Sequence, residues 1–265
     1  MRSLLRLLLV RNRALLLVSA TIFGGFEVLI CAIVTTLDLG TVLQNVMSSA
    51  PPFFSSLIGE QFGGLTLRGI LAFGWNHPVA LALGGATAIA LGSRAVAGEI
   101  DQGAMELLMT QPLSRARYYA AHALFGALAL ALLTVAGVAG TLIGQRLYDL
   151  ESFGAGELAL LGAMYWLLNA AWFGIALALS ARGREGGAVA MAAFFLALAS
   201  YLVNAIGSVL DSFAFALPFS LYRWFSPRDI LVEPVPQTAA ICVLASVAIV
   251  ATLAGAAILQ RRDLP

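Results

Sequence analysis

Apolar residues fall into six runs long enough to cross a bilayer, and polar residues are confined to the stretches between them. The runs cover about residues 14–37, 78–97, 118–144, 158–180, 187–210 and 238–260, each near the ~20 residues a helix needs to span the hydrocarbon layer. The pattern predicts an all-α integral membrane protein with six transmembrane helices, a single membrane domain over residues 1–265. Ahead of the first run, Arg2, Arg6 and Arg13 recur at helical spacing beside Leu4, Leu5, Leu8 and Leu9. That spacing predicts an N-terminal amphipathic helix lying in the cytoplasmic interface. A cleaved signal peptide is the competing reading, but the apolar run continues from Ala14 to Leu37 without the expected break.

The intervals differ in kind. Residues 38–77 carry Pro51-Pro52 followed by Phe53, Phe54, Leu57, Ile58 and Phe62, too apolar for a solvated linker and suited to the membrane surface. Residues 211–237 hold Phe213, Phe215, Phe219, Tyr222, Trp224 and Phe225, broken by Pro218 and Pro227. Too short and too broken to span, they predict a re-entrant or interfacial segment before the last span. The turn from Arg182 to Gly186 is tight, so the fourth and fifth spans form an antiparallel pair.

The densest polar stretch is Gly98–Arg117, GEIDQGAMELLMTQPLSRAR. As a helix it is amphipathic: Glu99, Gln102, Glu106 and Thr110 share one face, and Ile100, Ala104, Leu107 and Leu108 another. Glu99 and Asp101 suit the positive end of a helix dipole, and Pro112 ends the pattern. The apolar face, with Met105 and Met109 beside it, argues for a docking helix rather than a solvated connector, because water offers those side chains nothing.

Charge orients the chain. With the N-terminus inside, Arg2, Arg6, Arg11, Arg13, Arg94, Arg115, Arg117, Arg182, Arg184, Arg261 and Arg262 are cytoplasmic, against Arg68, Arg146, Arg223 and Arg228 outside. Eleven against four puts both termini in the cytoplasm by the positive-inside rule.

Composition agrees and also excludes. The chain is 60% hydrophobic and 11% charged, where soluble domains run near a quarter charged. All fifteen basic residues are Arg; without Lys, a GxxxxGK[ST] phosphate loop cannot exist, so any ATP must be bound by another chain. No basic run with interleaved aromatics points to nucleic acid. Cys31 and Cys242 lie in apolar runs and read as packing residues, and no zinc or iron–sulfur spacing is present. Neither HExxH nor GxSxG occurs, so a membrane enzyme lacks its usual chemistry. Gly140 and Gly144 form a GxxxG that serves close helix packing, within the chain or across a dimer.

With that topology, the polar segment resembles the ABC-2 type permeases, the membrane subunits of many bacterial ABC exporters. Their pattern places an acidic residue, then Gly-Thr-x-Glu-Leu-Leu, then Pro-x-Ser-Arg between the second and third spans. Glu99, Gly103, Glu106, Leu107, Leu108, Pro112, Ser114 and Arg115 occupy those places in order. Ala104 stands where Thr is usual, and His122 where a Lys is common. The resemblance implies that residues 98–117 include a cytoplasmic coupling helix docking on an ATPase subunit. It further implies a second permease copy, two ATPase subunits carrying ATP and Mg, no cofactor on this chain, and a bacterial or archaeal cytoplasmic membrane. Export of a substrate that the residues do not identify also follows from the resemblance. A lesser likeness is Ala181-Arg182-Gly183, similar to a motif of energy-coupling-factor importers, which need two such motifs on long cytoplasmic helices. A non-transporting assembly factor is a further alternative.

Glu27 lies near the middle of the first span, where a charge costs at least ~2.5–3.5 kcal/mol. Its uncharged candidate partners are Tyr201 and Asn204 on the fifth span and Tyr165 and Asn169 on the fourth. The resemblance implies that the first and fifth spans line the route, so Glu27, Tyr201 and Asn204 could form a polar substrate path. The alternative is a carboxyl hydrogen-bonded to a neighbouring helix.

Overall fold

The computed structural model describes residues 1–36, 66–105 and 114–262. The described residues are helical, with no strand among them. In order they form α1 (Arg2–Thr36), α2 (Leu67–Asn76), α3 (Pro78–Arg94), α4 (Ala97–Asp101), α5 (Arg115–Leu147), α6 (Ala155–Arg182) and α7 (Gly186–Gly207). Two 3-10 stretches, Asp211–Phe219 and Tyr222–Trp224, lead through α8 (Arg228–Leu231) into α9 (Thr238–Arg261).

Five of these helices, α1, α5, α6, α7 and α9, are long and apolar enough to cross a membrane. The expected second span is α3, of 17 residues. It is preceded by α2 and separated from it by His77-Pro78, where the missing proline N–H suits a helix start. The expected interfacial helix over the first residues is instead continuous with the first span. At 35 residues α1 is roughly 50 Å long, well beyond the ~30 Å hydrocarbon layer. The first outer loop, with Pro51 to Phe62, lies outside the described residues.

Lipid offers no hydrophobic drive between apolar helices, so close packing and buried polar bonds must hold the bundle. Small residues supply the first. A Cβ on Gly140 of α5 would collide with the carbonyl of Gly24 on α1, and one on Gly144 would meet Cys31. The GxxxG is therefore used inside the chain, seating α5 along α1. Similarly, Gly92 lets α3 approach α6, where an added Cβ would lie 2.9 Å from the Leu177 nitrogen. Aromatic side chains fill the centre: Phe23 stacks on Tyr165 at 4.9 Å between ring centroids and meets Trp75 edge-on at 5.2 Å. Tyr165 donates to the Ala80 carbonyl at 2.7 Å, tying α6 to α3.

The arginines separate to opposite ends of the bundle. Arg11, Arg115 and Arg262 make their bonds at one end. At the other, Arg68 forms a fork with Glu157, at 3.1 and 3.3 Å, and donates to the Leu231 carbonyl at 2.9 Å. Between α7 and α9 the 3-10 stretch lies against α7: the Ser220 hydroxyl donates to the Ser200 carbonyl at 2.7 Å. Phe213, Phe215 and Phe219 remain exposed on it. Outward faces elsewhere are equally apolar, with Phe194, Phe195, Leu198 and Leu202 on α7 uncovered, as a lipid-facing surface requires.

Candidate functional site at the base of the polar segment

Helix α3 does not run straight into the polar segment. At Ala95 and Val96 the helix breaks, leaving backbone amides without helical acceptors. Ser180, in the last turn of α6, supplies the missing acceptor: its Oγ accepts from the Val96 amide at 3.0 Å and the Ala97 amide at 2.9 Å. The same hydroxyl donates to the Ser93 carbonyl at 2.9 Å. One fully buried side chain thus clamps the bend to α6. Tyr118, at the start of α5, donates to the Ala95 carbonyl at 2.5 Å and holds the bend from the other side.

After the bend, α4 turns Glu99 inward. Glu99 is 4% exposed, and its Oε1 accepts from Arg11 of α1 at 2.5 Å. Arg11 also reaches Gln102 Oε1 at 3.4 Å. The second Glu99 oxygen is buried without a partner among the described residues. Gly103 follows in a turn with φ +67°, a backbone conformation that favours glycine. Met105 is then 1% exposed, packed into the chain's own core rather than left for a partner. Two expectations therefore change. Glu99 and Gln102 share a face, but it is turned onto Arg11 with Glu99 buried, and Met105 is packed in the core instead of lying beside a free apolar face. Both are drawn inward because α1 and the bend offer them a charge partner and a core.

Glu106, Leu107, Leu108 and Pro112 lie outside the described residues. Beyond them Ser114 caps α5, its Oγ accepting from the Arg117 amide at 3.3 Å. Arg115 donates to the Arg262 carbonyl. Arg262 in turn donates to the Ala181 carbonyl at 2.9 Å and the Gly183 carbonyl at 2.7 Å. The Ala-Arg-Gly stretch is thus engaged with the last helix of its own chain. The antiparallel turn joins the same cluster, since a Cβ on Gly186 would sit 3.0 Å from the Gly98 Cα. Arg11, Ser180 and Arg262 are the residues that sequence reasoning missed. Ser180 had one available signal, a hydroxyl in the last turn of an apolar span, where a polar group needs a partner.

At mid-bundle, the candidate route residues do not converge. Glu27 is buried between α1, α2 and α5, with Thr141 Oγ1 3.2 Å from its Oε2. Thr141 also accepts from Trp75 Nε1 at 3.1 Å and lies 3.2 Å from the Gly137 carbonyl. With one proton, the hydroxyl serves the carboxyl or the carbonyl in turn. Asn169 instead donates to the Tyr165 carbonyl. Tyr201 belongs to a separate apolar cavity of about 290 Å³ between α3 and α7, where it meets Tyr222 edge-on at 5.7 Å between centroids. Asn204 lies one turn further along α7, half-buried.

No curated protein matches the chain closely. A family model described as ABC-2 family transporter protein matches residues 9–264, nearly the whole length, and so takes in α3 with its bend, the polar segment and the last helix together. A helical membrane protein that shares this pattern from end to end belongs to the ABC-2 family of transporter proteins.

Proposed function

We propose that the chain is the permease subunit of an ATP-driven exporter, paired with a second copy and with two separate ATPase subunits that carry ATP and Mg. In this reading α3 with the bend completes six spans. Both termini, with the Arg11, Arg115 and Arg262 end, face the cytoplasm of a bacterial or archaeal cell. Residues 98–117 then receive the ATPase, through Leu107 and Leu108 on the apolar face and Glu106, Pro112, Ser114 and Arg115 around them.

The observation that carries the reading is the mooring of that segment's base. Ser180 ties it to α6 through buried bonds, and Arg11 ties Glu99 to α1 through a part-buried one. A force on the segment would reach two spanning helices at once instead of being lost in a loose linker. Glu99 and Gly103 act here by shaping the base, not by touching the ATPase. For the substrate route, the α3–α7 cavity with Tyr201 and neighbouring Asn204 is better supported than Glu27, whose carboxyl is enclosed by the chain's own helices.

The test is co-purification with the ATPase encoded beside the permease, followed by ATP hydrolysis in the presence of candidate substrates. Replacing Leu107 and Leu108 with Ser should abolish ATPase retention while membrane insertion persists. A double variant that retains the ATPase and transports normally would remove the docking assignment.

A further inference from the structure

Where α1, α3 and α5 meet, at the end of the bundle that holds the Arg11–Glu99 pair, lies a cavity of about 210 Å³. Arg11, Arg94, Gln102 and His122 line its polar side, and Leu91 and Phe173 contribute to an apolar wall. His122 is the informative group. It is 7% exposed and packs its ring 4.6 Å from that of Tyr118, yet neither ring nitrogen has a hydrogen-bond partner among the described residues. The imidazole borders the cavity with its hydrogen-bonding capacity uncommitted, so an occupant there can take it up.

The charges narrow its chemistry. Glu99 also borders the cavity, but its charge is matched by the direct bond from Arg11. Arg94 forms no ion pair or hydrogen bond among the described residues, and so leaves the cavity one positive charge in excess. Arg11 gives one bond to Glu99 and one to Gln102, with further N–H groups of its fork uncommitted. Guanidinium groups beside an imidazole suit a phosphate oxyanion, which accepts from planar forks. The apolar wall beside them suits the first carbons of acyl chains. Basic pockets between spanning helices are known lodgings for lipid headgroups.

We propose that this cavity binds the phosphate of an anionic phospholipid headgroup, with Arg94, Arg11 and His122 as donors and Leu91 and Phe173 against the acyl chains. The occupant would sit beside the Arg11–Glu99 bond and share Arg11 with it. This concerns binding by the chain alone and does not depend on ATPase docking.

The experiment is native mass spectrometry of the detergent-solubilised chain titrated with phosphatidylglycerol, with net-neutral phosphatidylcholine as comparator and inorganic phosphate as competitor. Loss of one charge-assisted partner should weaken phosphatidylglycerol binding about tenfold or more in Arg94→Gln and in His122→Phe. Arg117→Gln, an exposed arginine outside the cavity, should leave it unchanged. Arg94 is on the exposed rim, so its variant tests the site even where His122→Phe fails to fold. Competition by inorganic phosphate in the wild type but not in Arg94→Gln would support the site with a soluble phosphate as its ligand source. Tight lipid binding that phosphate does not displace would support the lipid source. Equal binding of phosphatidylcholine, or equal losses in Arg94→Gln and Arg117→Gln, would overturn the proposal in favour of general surface attraction.

Discussion

Arg11 and Glu99 stand 88 positions apart in sequence and face each other at 2.5 Å, the arginine side chain 43% exposed and the carboxylate 5%. The pair fastens the first helix to the start of the polar segment, and the two partners are unequal. Removing the arginine strands a buried carboxylate, whereas removing both leaves no charge behind. Arg11→Ala should destabilise the protein by about 1–3 kcal/mol, the range for an orphaned buried polar group. The Arg11→Ala/Glu99→Ala double variant should recover part of that loss. Thermal unfolding in detergent checks both, and a double variant less stable than Arg11→Ala would refute the inequality.

The Ser180 hydroxyl is the only acceptor seen for the Val96 and Ala97 amides among the described residues. Ser180→Ala should cost about 1–3 kcal/mol by leaving buried donors unmet. It should also loosen the bend more than the spans. Hydrogen exchange at Val96 and Ala97 reads this directly, and unchanged protection there would show that the clamp is dispensable.

Gly140 and Gly25 make a matched pair of tests for the α1–α5 seam. A Cβ at position 140 would strike the Gly24 carbonyl, while one at Gly25 would meet nothing within 4 Å. Gly140→Ala should therefore cost about 1–3 kcal/mol through overpacking. Gly25→Ala should be neutral or stabilise the helix by roughly 0.5–1 kcal/mol. Equal unfolding temperatures for the two variants would mean the seam yields without strain.

His77 closes α2 and caps α3, its Nδ1 accepting from the Val79 amide at 3.2 Å. Partial burial holds its pKa below the ordinary 6.5, favouring the neutral form that can accept this bond. Because the folded value is the lower one, the unfolded chain binds more protons between the two. The contribution of His77 is thus complete above about pH 6.5 and lost as pH falls through that value towards the folded one. Thermal unfolding followed down this range should show the loss in wild type. It should be reduced in His77→Asn, which caps without titrating. The same pH slope in both proteins would exclude His77 as its source.

Glu27 and Tyr201 separate two uses of polar groups in a membrane. Glu27 is hydrogen-bonded by Thr141 and enclosed, whereas Tyr201 lines a cavity. Glu27→Gln keeps an oxygen to accept the Thr141 bond and should leave substrate-stimulated ATP hydrolysis unchanged between about pH 6 and 8. Tyr201→Ala should alter that stimulation while folding is retained. A pH-dependent defect in Glu27→Gln would return the carboxyl to the transport route.

Hydropathy alone located five long apolar helices, because a bilayer demands a certain length of apolar chain whatever the neighbours are, but it did not show that the first begins as early as Arg2. Arginine placement likewise separated the two ends: Arg68 is found opposite Arg11, Arg115 and Arg262. The polar motif around Glu99 and Gly103 was legible because charge is rare in such a chain, only 11% of its residues. What pattern could not reveal was partnership. A helix that is apolar on every side carries no periodic mark of its inward face, so nothing in the sequence paired Gly140 with Gly24 or Thr141 with Glu27. Glu99 read as part of a polar helix face and Met105 as lying beside a docking face, because Arg11, the partner that draws Glu99 inward, stands 88 positions away. Only the folded bundle, by bringing α1 and α6 against the bend at Val96, decided that Arg11 and Ser180 hold the base of the polar segment.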